Sequence, residues 1–85
     1  MIVANVHIAT GDLRRPWATG IAVRDGVIVA LGSAAEVAKL RTAETDMIDA
    51  GGAEVRLPAG CTVGSQVVIE PASEHHPLRI VAATS

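Results

Sequence analysis

Ile21-Ala22-Val23-Arg24-Asp25-Gly26-Val27-Ile28-Val29-Ala30-Leu31 is two β-rich runs joined at Asp25-Gly26. Asp-Gly between such runs favours a type I′ turn, because both turn positions need positive φ and the turn's twist matches that of the strands. The stretch therefore predicts a tight hairpin. Its second run is apolar on both faces, which predicts cover from both sides.

Working outward, Met1 to Ile8 alternates and predicts a strand, with Ile2, Ala4, Val6 and Ile8 on one face and Val3, Asn5 and His7 on the other. Thr10-Gly11-Asp12 and Arg14-Arg15-Pro16 form a loop, with Trp17 just before the next strand. After the hairpin, Ser33-Ala34-Ala35-Glu36 is a capping box that opens a helix of about two turns. Val37 and Leu40 share one face of that helix, and Lys39 and Arg41 sit in its last turn, where cations suit the dipole. Further short strands are predicted over residues 46–49, 54–57, 66–70 and 78–84, with a turn at Ala50-Gly51-Gly52-Ala53. The prediction is a single mainly β domain over residues 1–85. It is a small sandwich or pseudo-barrel of about seven strands with one short helix.

Composition agrees with this. The chain has 85 residues and is 49% hydrophobic, yet it holds no Phe or Tyr and one Trp, so the core must be aliphatic. Cys61 is the only cysteine, which excludes an internal disulfide and fits a reducing compartment. Net charge is −2 with scattered basic residues, which argues against nucleic acid as a partner. No apolar run reaches the ~18 residues of a membrane span, and no basic region precedes the N-terminal apolar stretch. The expectation is a cytoplasmic protein that meets neither nucleic acid nor membrane.

The order of short motifs resembles the small composite β domain of the amidohydrolase superfamily, in its amidohydrolase-3-like branch. The matching residues are Asn5, Ile8, Thr10-Gly11-Asp12, Pro16-Trp17, Ala22-Val23-Arg24-Asp25-Gly26, Ile28-Val29-Ala30, Gly32-Ser33, Glu36-Val37, Ile48-Asp49, Gly52 and Leu57-Pro58. In that family the domain is built from an N-terminal and a C-terminal segment beside a metal-bearing barrel. The barrel itself takes roughly 250 residues, which this chain does not have. The family pattern continues Pro-Gly-Phe-Ile-Asp, one residue, then His-x-His. Here Ala59 stands for the Gly, Thr62 for the Asp, and Gly64 and Gln66 for the two histidines. A catalytic metal needs imidazole or carboxylate ligands, and these positions supply none. The tail, residues 65–84, resembles the family's returning strands, with residues 59–64 joining the two parts. The resemblance thus implies a scaffold without its chemistry: no catalytic residue, no metal ligand and no cofactor.

Candidate sites are few. His75-His76 reads as a solvated loop, since adjacent side chains diverge in extended chain. His7 reads as a strand-face residue. Cys61 has no base or positive charge among Gly60, Thr62 and Val63, so an inert, half-buried thiol is expected. Asp12, Asp25 and Asp49 are accounted for by turn chemistry. No glycine-rich phosphate cradle is present. Trp17 beside Arg14 and Arg15 is the one candidate interaction site, because Trp and Arg are enriched in binding hot spots; the alternative is a Trp folded over the sheet as core.

Three functions stay open. The first is a non-catalytic, self-associating module, simplest as a two-fold homodimer, because an accessory domain without its barrel leaves an apolar face uncovered. The second is a module that binds a small ligand or a partner protein. The third, an amidohydrolase-type enzyme acting on carbon–nitrogen bonds, lacks its metal ligands.

Overall fold

A computed structural model describes residues 1–83. Among the described residues, seven strands and one helix follow in order: β1 (Ile2–Ala9), β2 (Trp17–Arg24), β3 (Val27–Gly32), α1 (Ala34–Ala38), β4 (Met47–Asp49), β5 (Glu54–Arg56), β6 (Val67–Glu70) and β7 (Arg79–Ala82). Strands β3-β2-β1-β4 form the main sheet, with β5 also on β1, and β6-β7 form a second sheet. The sheets pack around one aliphatic core, and neither closes into a barrel. The small, mainly β domain with one short helix is thus as read. Thr84, placed in the last strand by sequence, lies outside the described residues.

The hairpin forms as read. Asp25 (φ 52°) and Gly26 (φ 77°) both carry the positive φ that a type I′ turn requires. Its second strand differs from expectation. Val23 pairs with Ile28 but Ala22 pairs with Ala30, so Val29 is an extra residue in β3. Such a bulge shifts the inside–outside alternation by one. Ile28 and Leu31 consequently face the same core, while Val29 points outward and is 42% exposed. Cover on both faces is thus incomplete.

The face assignment for β1 also needs correction. The register runs Ile2↔Ala22, Val3↔Ile21, Ala4↔Gly20 and then jumps to Ile8↔Ala18. Asn5 sits in this irregularity with φ 53°. Asn tolerates that left-handed conformation better than most residues. Past it the alternation changes phase. Val3, Val6 and Ile8 share the main core, whereas Ile2 joins Ala22 and Val37 in a second cluster beneath α1.

The same point marks a change of partner. β1 pairs in parallel first with β4, Val3 opposite Ile48, and then with β5, Ile8 opposite Val55. The turn over residues 50–53 steps between the two. Gly52 N–H donates to the Asn5 carbonyl at 2.7 Å, and Asn5 Nδ2 donates to Asp49 Oδ1 at 3.0 Å.

Helix α1 forms the serine half of the capping box, since Ser33 Oγ accepts from the Glu36 amide at 3.1 Å, while the Glu36 carboxylate lies 3.8 Å from Arg15 Nη1. It is shorter than two turns, ending at Ala38, so no basic residue falls in its last turn. Leu40 therefore leaves the face of Val37 and stands 43% exposed. So short a helix holds only by packing. Val37 is fully buried against Ile2 and Ala22, and a Cβ on Gly20 would stand 2.6 Å from Val37 Cγ2. A second tie comes from Thr19 Oγ1, which accepts from the Ala34 amide at 3.1 Å.

The second sheet covers the core from the other side. Val67, Leu78 and Ile80 are buried in it, and β6 is anchored to the hairpin by Val67 N–H donating to Gly26 O at 2.8 Å. Leaving Val68 and Val81 as outward cross-strand neighbours follows from the period-2 alternation.

Candidate functional site

The structure takes Trp17 into β2 as its first residue, instead of leaving it before the strand. Ala18 faces the core, so Trp17 faces the opposite way. It is 47% exposed and is no core residue. Its ring stacks on His7, with centroids 3.8 Å apart and planes at 21°. His7 Nδ1 lies 3.9 Å from Glu54 Oε1, in the register position that pairs these two residues. Trp17, His7 and Glu54 thus form an exposed row across three adjacent strands.

Arg14 and Arg15 do not share a site with Trp17. They stand on a loop tied down by its own hydrogen bonds. Thr10 N–H donates to Pro16 O at 3.0 Å, the Thr10 hydroxyl donates to Arg15 O, and Arg14 N–H donates to Asp12 Oδ1 at 2.9 Å. Leu13 at the tip is 98% exposed. Beyond this loop opens a cleft of about 560 Å³, whose far wall is the turn holding Cys61 and Thr62. Sequence neighbours gave Cys61 no positive surroundings. In the fold Cys61 is half-buried against the core, as expected, and shares the lining of this cleft with Arg14 and Arg15.

A larger groove of about 1000 Å³ lies between the hairpin tip, the segment after α1 and the outer side of β6. Val29, Leu40 and Val68 line it, and Val68 is 52% exposed. Its rim carries Arg24, Asp25 and Glu44. The groove is not legible in the sequence, because the apolar pattern puts Leu40 on one helix face with Val37, whereas the helix ends at Ala38. The one available signal was the outward phase of Val68 in a strand whose Val67 and Ile69 face the other way.

The remaining candidates are scattered. Ser73 Oγ accepts from the His75 amide at 3.2 Å, and His76 Nδ1 lies 2.8 Å from Pro77 O. Among the described residues no group of three or more His, Cys, Asp or Glu side chains converges on a point. Asp12 and Asp49 do the turn work read for them, accepting from the amides two residues on. The Gly51 amide, and after it the Asn5 side chain, hold the Asp49 carboxyl below its usual value. No helix among the described residues is long and apolar enough to cross a membrane.

Among solved structures the chain is similar to the protein BT9727_2919 of Bacillus thuringiensis. The two are 34% identical with a TM-score of 0.59, over 73% of this chain and 80% of that one. This chain belongs to the same family as that Bacillus protein. No protein-family model matches the chain, and no curated protein matches it significantly. For this member of the BT9727_2919 family, function has to be read from its own surface, where the groove and the cleft are the two concave features described.

Proposed function

We propose that the protein is a non-catalytic, self-associating β module that forms a two-fold homodimer through the groove between the hairpin tip and β6. One observation carries this reading. Val29, Leu40 and Val68, from three separate segments, expose apolar side chains around one concavity. Single exposed apolar residues are ordinary, but a contiguous set rimmed by charge marks an interface.

A second copy fits this rim. A two-fold axis brings each patch against itself, so residue i of one protomer meets residue j of the other and the reverse. The rim holds a cation, Arg24, and the anions Asp25 and Glu44. Both signs on one patch allow opposite charges to meet across the axis, which a patch of a single sign would not. The resemblance of the first 58 residues to an amidohydrolase accessory domain supports the same reading, since one face of that kind of domain packs against another domain and is apolar for that reason.

Amide hydrogen exchange at low and high protein concentration tests the surface. Protection that grows with concentration around Val29, Leu40 and Val68 is the expected result. Protection that grows elsewhere, and not at these residues, contradicts it.

A further inference from the structure

We propose that the cleft between the Arg14-Arg15 loop and the Cys61-Thr62 turn binds a small ligand through its carboxylate or phosphate oxygens. The cleft is separate from the dimer groove, and none of its lining residues belongs to that groove.

Both walls are built before any ligand arrives. The loop wall is held by the Thr10 and Asp12 hydrogen bonds already given, and by Arg15 N–H donating to Asp12 O at 3.2 Å. In the turn wall, Thr62 N–H donates to Ser65 Oγ at 2.9 Å and Gly64 N–H donates to Ile28 O at 2.8 Å, which fixes the turn to β3. Preorganised walls lower the ordering penalty of binding. At about 560 Å³ the cleft has the size of a small-molecule site.

Charge defines the ligand class. Arg14 and Arg15, adjacent in sequence, both line the cleft on a chain whose net charge is −2. Arg15 has a distant partner, Glu36 at 3.8 Å, while Arg14 makes no ion pair among the described residues. The one carboxylate in the lining, Asp12, is engaged by the Arg14 amide. Guanidinium groups match carboxylate and phosphate oxygens in paired, charge-assisted hydrogen bonds. The Thr62 hydroxyl stands on the opposite wall as a further donor.

Cys61 lines the cleft and is half-buried against the core, so its alkylation serves as the reporter of the cleft. The test compares its alkylation by iodoacetate, an anion, and by iodoacetamide, its neutral analogue. The Arg14→Gln/Arg15→Gln variant is expected to lower the iodoacetate-to-iodoacetamide rate ratio about threefold or more, as electrostatic steering predicts. The iodoacetamide rate corrects for any change in thiolate fraction, which affects both reagents alike, and a circular dichroism spectrum equal to the wild type's shows that the fold is kept. Inorganic phosphate and succinate, each titrated at fixed ionic strength, then distinguish the ligand sources. Protection of Cys61 by phosphate alone assigns a phosphate-bearing ligand, and protection by succinate alone a carboxylate. An unchanged rate ratio in the double variant, or no saturable protection by either anion, overturns the proposal.

Discussion

Asn5 and Asp49 are joined side chain to side chain at the point where β1 exchanges one parallel partner for the next. Asn5 Nδ2 donates to Asp49 Oδ1 at 3.0 Å, and the same oxygen accepts from the Gly51 amide at 2.8 Å. One carboxylate therefore fixes both the bulge in β1 and the turn that carries the chain from β4 to β5. Asn5→Ala removes the bond and places a Cβ-bearing residue without a polar side chain at φ 53°. Its expected loss is about 1–2 kcal/mol, read from urea unfolding. Asn5→Gly keeps the backbone freedom and should lose less. Equal losses in the two variants would assign the whole effect to the hydrogen bond.

Acid should weaken this junction. The Asp49 carboxyl titrates below its ordinary value of 3.8 when folded. A carboxylate of that kind contributes stability that is present above the unfolded pKa and is lost as pH falls through the folded one. Asp49 is solvent-exposed, so its share is small and screened by salt. Urea unfolding of the wild type and Asp49→Asn, followed below about pH 5, checks the sign. The variant should lose less stability on acidification. An identical pH profile would remove Asp49 from the acid response.

Gly20 is where the helix touches the sheet. A Cβ there would stand 2.6 Å from Val37 Cγ2 and 3.0 Å from Ala34 Cα, and the second neighbour is backbone that cannot rotate away. Gly20→Ala should cost about 1–3 kcal/mol by overpacking. Val37→Ala in the same chain removes the methyl contact and should recover part of the Gly20→Ala penalty, so the double-mutant cycle is non-additive. Thermal unfolding of the four proteins measures it, and strict additivity would contradict the contact.

Trp17 is the chain's single tryptophan, so its fluorescence reports on the His7 stack without interference. Replacing His7 by Ala opens the second ring face to water. Emission should shift to longer wavelength, with a stability loss of about 0.5–1.5 kcal/mol for the lost aromatic pair. An unchanged spectrum would mean that the stack does not form in solution.

The parts of the fold legible in sequence are those set by neighbours along the chain. Asp25-Gly26 specifies its turn through two residues' φ preferences, and Ser33 caps the Glu36 amide three residues on. What escaped reading depends on residues far apart. The phase change at Asn5 arises because β1 must serve two partners in succession, and period-2 alternation alone cannot show where a strand changes phase. The bulge at Val29 is invisible in an uninterrupted apolar run. The pattern puts Leu40 on a helix face because it continues past Ala38, although the helix does not. The candidate site divided in the same way. Trp17, Arg14 and Arg15 adjoin in sequence, but the start of β2 turns Trp17 toward His7, while the loop leaves the arginines lining a cleft with Cys61. That last juxtaposition joins the ends of two loops, and no local pattern announces it.

The central claim, self-association through the groove, is tested most directly by the molar mass in solution, measured by light scattering across a wide concentration range. The account predicts that the wild type approaches twice the mass of one chain as concentration rises. Leu40→Asp/Val68→Asp, which places charge on two exposed groove residues and should leave the circular dichroism spectrum unchanged, is predicted to stay at the mass of one chain. A wild type that remains a monomer at the highest concentration, or a dimer that the double substitution leaves intact, contradicts it.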